Sequence, residues 1–356
     1  MSSLPKDYGP LVRELHQRAA RHRQPVNGTF ELTERCNLAC RMCYLCRPPD
    51  EKDLAASELT AKQWLEVAHQ AVGNGMVFLL ITGGEPLMRP DFFEIYTPLT
   101  RMGLILTLFT NGTLITESIA SRLAEAPPNR TEITLYGATK KTYEAVTGVP
   151  GSYERCLAGI ESLVKHKVPL GLKSTITKIN VHELEKMRSM ANDWGLPFSA
   201  SWLLTKRRDG LPSAINECRL PALKCVELEN TDSASATDWI EAAMRDAASS
   251  NDRNFYCHAG QAAFVVSPSG QMNTCFDLTI PASRPLEIGF QAAWEAVQQF
   301  VDSAPPLAGV CLDCEARAFC PRCPAWSELE TGTLTEPVPY LCEIAFARKE
   351  LYGKGK

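Results

Sequence analysis

The sequence has no apolar segment long enough to span a membrane, and its first residues lack the apolar core of a secretory signal peptide. It also lacks an excess of positive charge, because 37 lysine and arginine residues face 41 aspartate and glutamate residues, for a net charge of −4. That balance gives no reason to expect nucleic acid as a partner. Internal repeats and low-complexity tracts are absent as well. These absences predict a soluble, cytoplasmic globular protein that binds neither nucleic acid nor membrane.

Cysteine, by contrast, is abundant, with 14 among 356 residues. Thiols stay reduced in the cytoplasm, so this number points away from disulfides and toward ligation of a metal or an iron–sulfur cluster. The cysteines fall mainly into two groups, within 36–46 and within 257–342. This grouping predicts two functional modules, in a chain long enough for two domains.

Short apolar or β-branched segments alternate with helical patterns through the first 204 residues, as expected for buried parallel strands joined by helices. The predicted strands are 29–33, 77–82, 104–110, 132–136, 170–177 and 198–203. The predicted helices are 8–24, which is basic and amphipathic, and then 60–73, 91–102, 115–125, 151–167 and 181–194. Six strand–helix units in series predict an α/β fold with a partial (β/α)6 barrel of the TIM type. Function is then expected on the loops that follow the strands.

The second part of the sequence has a different pattern. A mixed connection is expected to contain a helix at 238–249, and segments 262–267 and 271–276 predict a hairpin around Pro268-Ser269-Gly270. Metal ligation is expected to order the proline- and cysteine-rich stretch 305–326, and a short last helix is expected after Cys342. The predicted domains are an amino-terminal helix (1–27), the barrel (28–204), a linker or bridging region (205–256) and a small cysteine-rich domain with a carboxyl-terminal helix (257–356).

Cys36, Cys40 and Cys43 can hold three irons of a four-iron cluster and leave the fourth iron open for chemistry. This Cys-x3-Cys-x2-Cys motif, placed just after a predicted strand, resembles the signature of radical S-adenosylmethionine (radical SAM) enzymes. The resemblance implies a [4Fe-4S] cluster whose open iron binds the methionine moiety of SAM. A reductant such as flavodoxin or ferredoxin would supply an electron, and SAM would be cleaved to a 5′-deoxyadenosyl radical that abstracts hydrogen from the substrate. A zinc knuckle or incidental thiols are the alternative.

Two turns at predicted strand ends resemble SAM-contacting motifs of the same family. In Thr82-Gly83-Gly84-Glu85-Pro86, the resemblance implies that the glutamate accepts from the SAM amino group. Thr110-Asn111-Gly112 ends the next strand, and both segments can equally be ordinary turns. Lys173 is a candidate partner for a carboxylate of SAM or of the substrate, with a lysine at the barrel mouth as the alternative.

One departure leaves the partner of the SAM carboxylate open. Many relatives carry an arginine in the helix after the fourth strand, and the segment 143–148 has none. Tyr136-Gly137, at the end of that strand, either flanks the substrate or caps the barrel.

The later cysteines resemble the SPASM extension of radical SAM enzymes, a twitch-type domain that binds two auxiliary iron–sulfur clusters, expected to be [4Fe-4S]. The resemblance implies an inner cluster on Cys257, Cys275 and Cys323, and an outer cluster on Cys311, Cys314, Cys320 and Cys342. Seven cysteines are one fewer than two such clusters need. The inner cluster therefore either has an open iron that binds a substrate thiolate or takes a ligand from elsewhere. The possible donors are Cys46, Cys156, Cys218, Cys225 and His258.

The resemblance covers roughly residues 28–345 and implies an enzyme related to maturases of ribosomally synthesised peptides (RiPPs). A thioether or another cross-link in a peptide is expected, because the inner cluster is short of a ligand. The alternatives are a peptide epimerase, an anaerobic sulfatase-maturating enzyme that makes formylglycine, and a non-enzymatic iron–sulfur electron carrier or zinc protein.

Two further residues and a partner follow from the same resemblance. Cys46 is a candidate ligand or hydrogen-atom donor, or an inert thiol. Asp277 is a candidate base, although Cys275 precedes it by one residue more than in sulfatase maturases. The 35 residues before Cys36 are too few for the leader-binding domain of many maturases. A separate leader-binding protein is therefore expected, unless no leader is recognised.

Overall fold

The computed structural model describes residues 8–45, 47–231 and 254–353. Its centre is one eight-stranded sheet, with the strand order β6-β5-β4-β3-β2-β1-β7-β8. Strands β1 to β7 run parallel, and β8 is antiparallel to β7. In chain order the strands are β1 Asn27–Glu31, β2 Phe78–Thr82, β3 Ile105–Thr110, β4 Arg130–Thr134, β5 Leu170–Thr175, β6 Phe198–Ser201, β7 Ala263–Val266 and β8 Met272–Asn273. The predicted α/β partial barrel is confirmed, with β6 and β8 as its two edges.

Helices connect these strands and continue beyond the sheet. Within the barrel they are α1 Tyr8–His22, α2 Lys52–Ser57, α3 Ala61–Gly73, α4 Phe92–Leu99, α5 Glu117–Glu125, α6 Lys140–Thr147, α7 Ser152–Lys165 and α8 Leu184–Asp193. The later helices are α9 Ile215–Cys218, α10 Ala222–Thr231, α11 Pro285–Ile288, α12 Phe290–Ser303, α13 Gly309–Leu312, α14 Pro324–Thr331 and α15 Pro339–Tyr352. Within the described ranges, no helix is both long and apolar enough to cross a membrane.

The apolar core aligns the strands. Phe30 pairs in register with Ile81, and Ile81 pairs with Leu108, and all three side chains are fully buried. Parallel strands held in this way bring their carboxyl ends to the same edge of the sheet. Five neighbouring strands end there in a small hydroxyl-bearing residue, namely Thr82, Thr110, Thr134, Thr175 and Ser201.

Several predicted bounds are wrong by one to four residues. The strand predicted at 29–33 lies at Asn27–Glu31, because Thr33 has left the ladder and its carbonyl accepts the Gly84 N–H. The last helix begins at Pro339, not after Cys342, since proline is favoured at the first helical position. The helix predicted at 238–249 lies outside the described residues.

The predicted hairpin is present, but it belongs to the central sheet. Strand β7 pairs in parallel with β1 from Asn27 opposite Ala263 to Phe30 opposite Val266. Repeated strand and helix patterns did not indicate this pairing, because it joins residues more than 230 positions apart. The four predicted domains, with a boundary at residue 257, stay a prediction.

Candidate active site

A cavity of about 400 Å³ opens at the carboxyl ends of the strands. Its floor includes the five hydroxyl-bearing strand ends and Lys173. One wall carries the three clustered cysteines of the first group, Cys36, Cys40 and Cys43, together with Gly83 and Gly84. The carboxyl-terminal part of the chain contributes Phe276, Asp277 and Trp326 to the lining, and the Phe276 ring lies 6.5 Å from the ring of Tyr44, the residue after Cys43. The fold thus brings the first cysteine group and a distant carboxylate into one chamber.

The cysteine loop, residues 34–44, rests directly on the glycine turn after β2. The Gly84 N–H donates to the Thr33 carbonyl (2.7 Å), and the Glu85 N–H donates to the Arg35 carbonyl (3.0 Å). A Cβ atom at Gly84 would overlap the Arg35 carbonyl oxygen. Only glycine permits this approach of the two backbones, so the turn shapes the loop as well as the cavity wall.

Helix α6 holds the other side of the cysteine loop. The Ala39 N–H donates to the Thr147 carbonyl (2.9 Å), and the Arg41 N–H donates to the Val146 carbonyl (3.1 Å). Gly148 ends the helix in the left-handed region (φ 70°) and lies against Ala39. The sequence analysis gives no bounds for this helix, although the Thr139 cap and Gly148 are start and stop signals that bracket it.

Asn111 connects the end of β3 to the cysteine loop. Its Nδ2 donates to Asn37 Oδ1 (2.9 Å) and lies 3.7 Å from Cys36 Sγ. Asn37 in turn donates to Thr113 Oγ1 (2.8 Å). Asn111 also lines the cavity, so this residue can contact a ligand there while it orients the first cysteine.

Glu85 lies behind the cavity wall and is fully buried. Its carboxylate accepts from Thr110 Oγ1 (2.8 Å) and from the backbone N–H groups of Asn111 (2.7 Å) and Leu87 (3.1 Å). Burial raises the pKa of Glu85 to about 7, and these donors oppose the rise. In this structure Glu85 joins the two turns to each other, and its predicted contact with the SAM amino group stays a prediction.

Lys173 lies on the floor of the cavity, and about a quarter of its side chain is exposed. Its Nζ lies 2.8 Å from the centre of the Phe109 ring and 4.0 Å from Glu132 Oε2. Burial lowers the pKa of Lys173 to about 7, and the charge of Glu132 opposes this. A bound carboxylate would favour the charged ammonium, so the position suits the predicted role.

Tyr136 is partly buried beside the first cysteine group and also lines the cavity. Burial raises the pKa of its phenol well above the usual value, and the nearby Cys40, Cys43 and Cys36 thiols raise it further. Tyr136 therefore stays neutral and can donate a hydrogen bond toward sulfur. This placement favours a role at the cavity over a cap on the barrel.

Asp277 and Trp326 belong to the part of the cavity lining that comes from the carboxyl-terminal region. Trp326 Nε1 donates to Asp277 Oδ2 (3.0 Å). Burial raises the pKa of Asp277, whereas the indole N–H and the charge of Arg208 lower it. Trp326 was not recognised in the sequence, and its position three residues after Cys323 is the only sequence signal for it.

The later cysteines form two groups in space. The inner group consists of Cys257, Cys275 and Cys323. Burial raises the pKa of Cys323 to about 11, and the neighbouring Asp277 and Cys257 charges add to the rise. Burial and the charges of Asp277 and Cys323 raise the pKa of Cys275 in the same way. The second group consists of Cys311, Cys314, Cys320 and Cys342, whose charges act on one another. These are the two sets that the SPASM resemblance implies, and their roles as ligands stay predictions.

The donor sets suit clusters better than single ions. In 8–45, 47–231 and 254–353, no three His, Cys, Asp or Glu side chains converge closely enough for one metal ion. A four-iron cluster needs no such convergence, since each cysteine binds its own iron. Three thiols facing one cavity and four thiols in the outer group fit this requirement.

The possible donors of a further ligand lie in varied surroundings. Cys156 is fully buried in α7, and Cys225 Sγ lies 3.5 Å from the Tyr340 hydroxyl. Cys218 packs in the apolar cluster around Cys40, near the first group. The His258 ring lies 5.9 Å from the His16 ring. Cys46 lies outside the described residues, so its predicted roles stay predictions.

Comparison with known proteins agrees with this arrangement. Residues 30–193 match the Radical SAM superfamily. The AdoMet-dependent heme synthase of Methanosarcina barkeri is 31% identical over 332 residues, which cover 87% of this chain and 94% of that protein. The mycofactocin maturase MftC of Mycobacterium tuberculosis is 26% identical over 317 residues, which cover 86% of this chain and 79% of that protein.

SuiB of Streptococcus suis has a similar fold. Its structure bound to S-adenosylmethionine matches with a TM-score of 0.67 and 16% identity, over 96% of this chain and 82% of SuiB. Its structure bound to the precursor peptide SuiA matches with a TM-score of 0.65 and 17% identity, over 90% and 77%. At this identity the likeness concerns the fold alone.

Proposed function

The chain belongs to the Radical SAM superfamily, and we propose that it modifies a peptide. The proposed reaction forms a thioether or another cross-link in a ribosomally synthesised peptide. As a radical SAM enzyme it uses SAM and a [4Fe-4S] cluster, which when bound supply a 5′-deoxyadenosyl radical. One observation carries the proposal. The same cavity is lined by Cys36, Cys40 and Cys43 and by Asp277, which lies next to the inner cysteine group.

The protein's own residues have distinct tasks in this proposal. Cys36, Cys40 and Cys43 hold the cluster, and the Gly83-Gly84 wall and Asn111 border the space for SAM. Lys173 binds a carboxylate of SAM or of the peptide. Formation of a C–S bond from C–H and S–H removes two hydrogens. One hydrogen would leave as an atom to the 5′-deoxyadenosyl radical, which becomes 5′-deoxyadenosine. The other would leave as a proton to Asp277, and its electron would pass to an auxiliary cluster held by Cys257, Cys275 and Cys323.

The ligand count supports a cross-link. Cys257, Cys275 and Cys323 supply three ligands to a cluster that takes four, and a peptide thiolate is a chemically matched fourth ligand. Asp277 lies beside Cys275 and Cys323, where it can accept the thiol proton. A reductant that supplies the electron is the partner that this proposal requires.

The test uses anaerobically reconstituted protein with SAM and dithionite, and a short peptide encoded beside its gene. We expect 5′-deoxyadenosine, and a peptide product lighter by two hydrogens that resists thiol alkylation. The D277N variant is expected to make deoxyadenosine with much less product. Loss of two hydrogens without loss of a free thiol would instead indicate a C–C link or formylglycine made from serine. Unchanged peptide mass with a solvent hydrogen incorporated would indicate epimerisation, and absence of deoxyadenosine would refute the enzyme assignment.

A second candidate rests on a separate observation. The relative that covers most of this chain at 31% identity is named a heme synthase, and Lys173 offers a cation to a carboxylate within the cavity. A carboxylate-bearing tetrapyrrole is therefore the rival substrate. Heme formed from an iron porphyrin precursor, with no peptide product, would establish this function in place of peptide modification.

A further inference from the structure

Arg208 lies in the connection after β6 and joins two parts of the site. Its side chain is only 7% exposed. Nη1 donates to Glu31 Oε2 (2.7 Å), and Nη2 donates to Glu34 Oε1 (2.6 Å). Glu31 ends β1, and Glu34 begins the cysteine loop. One guanidinium thus fixes the start of the loop to the sheet.

The same arginine also contacts the Phe276–Asp277 wall, the part of the cavity lining that comes from the carboxyl-terminal region. Nη1 also donates to the Phe276 carbonyl (3.2 Å), between Cys275 and Asp277. Its backbone N–H donates to the Tyr44 carbonyl (3.0 Å), directly after Cys43. Arg208 therefore contacts both ends of the cysteine loop and the segment that carries the cavity carboxylate.

Arginine is specifically suited to this position. Glu31 is fully buried, and its other oxygen accepts from the Tyr44 hydroxyl (2.9 Å). A guanidinium presents several donors in a fixed plane, so it can serve two carboxylates and a carbonyl at once. A lysine ammonium keeps the charge but not this geometry. Buried ion pairs contribute little net stability, whereas they can define how segments are placed relative to one another.

We propose that Arg208 is a positioning residue that sets the distance between the cysteine loop and the Phe276–Asp277 wall. The inference rests on the proposed function, in which a radical forms at the loop and the substrate loses its proton and electron at the wall. Misplacement of reacting groups by about 1 Å can lower a rate by about 100-fold. Loss of Arg208 should therefore reduce the product made per deoxyadenosine formed.

The test compares R208K and R208Q with wild-type holoprotein. We expect the ratio of product to deoxyadenosine to fall by roughly 10- to 100-fold in both variants. Even lysine, which keeps the charge, cannot replace the planar set of donors that the guanidinium presents. Hydrogen exchange, which needs no substrate, should increase in both 34–44 and 270–280. The matched control is R348Q, because Arg348 forms a buried ion pair with Glu229 (2.6 Å) away from the cavity.

Two outcomes would overturn the inference: wild-type exchange in both segments of R208Q, or an R348Q variant that loosens these segments equally. A normal product ratio in R208K would show that charge alone suffices and would also contradict it. If wild-type protein makes no peptide product, the proposed function fails, while the exchange measurement still decides the role of Arg208.

Discussion

The two cysteine-rich regions are built in opposite ways. The cysteine loop is held by backbone hydrogen bonds that involve the Gly83-Gly84 turn and the end of α6. These contacts lie at the carboxyl ends of the strands of a well-packed sheet. The stretch 305–326 contains the four-residue helix α13 and a short 3-10 turn, neither of which has a buried residue. We therefore expect the protein to shape its first cysteine group in advance, and the order of the outer group to depend on a bound cluster.

Among the four outer cysteines, Cys342 lies in the longest helix, which has several buried residues. Cys342 lies in α15, whose Leu341, Ile344 and Ala345 are buried. The Arg348 side chain of the same helix donates to the Phe319 carbonyl (3.2 Å), which ties the helix to the 3-10 turn. A cluster on this group would thus fasten a weakly packed segment to a well-packed helix.

Removal of one cysteine from the loop should produce the largest functional effect. For C40A we expect deoxyadenosine formation to fall to background, because the first cluster loses a ligand, and bound iron to fall by about a third if three four-iron clusters are present. Iron analysis and electron paramagnetic resonance would measure this. The control is C156A, because this thiol is fully buried in α7; unchanged iron in C156A would also exclude Cys156 as a donor to the inner cluster. Loss of all iron in C40A would show that the two regions are not independent.

Removal of iron should disorder the outer cysteine region and leave the barrel ordered. After anaerobic chelation we expect residues 305–323 to lose most of their hydrogen-exchange protection, because few buried side chains hold them. Strands β1 to β5 and the buried face of α15 should keep theirs. Equal loss of protection in the barrel would contradict the idea that its loop is shaped in advance.

Crowding the glycine turn should damage the first region alone. In G84A the new Cβ meets the Arg35 carbonyl, so we expect a loss of about 1–3 kcal/mol in stability and a loosened cysteine loop. Gly73 has open space around its Cβ position, so G73A should gain about 0.5–1 kcal/mol. Thermal unfolding of both variants would measure the difference, and a neutral G84A would show that the loop can move aside.

The same contrast explains what the sequence could reveal. The six parallel strands, the glycine turn and Asn111 follow from local patterns near the first cysteines, and the structure brings them to one edge. Arg208, Trp326 and the β1–β7 pairing depend on contacts between residues more than 45 positions apart. No local period or spacing records such contacts. Helix α6 differs from these features. The sequence carries its start and stop signals, Thr139 and Gly148, but nothing in the sequence indicates that the helix holds the cysteine loop.

The smallest expected effect concerns the buried cation in the barrel. The pKa of Lys173 is lowered to about 7 in the folded protein, so between about pH 7 and pH 10.5 the unfolded chain binds more protons. Burial of the charged lysine is therefore most destabilising below about pH 7, and this penalty fades as the pH rises. For K173M we expect a thermal unfolding midpoint about 1–2 °C above that of wild type near pH 6. The gain is small because the variant also removes the contacts of Lys173 with Phe109 and Glu132. The gain should shrink by about pH 9.

Lys165 is exposed, so K165M should shift the midpoint little at either pH. A gain in K173M that grows with pH would mean that Lys173 is charged and stabilising in the folded barrel.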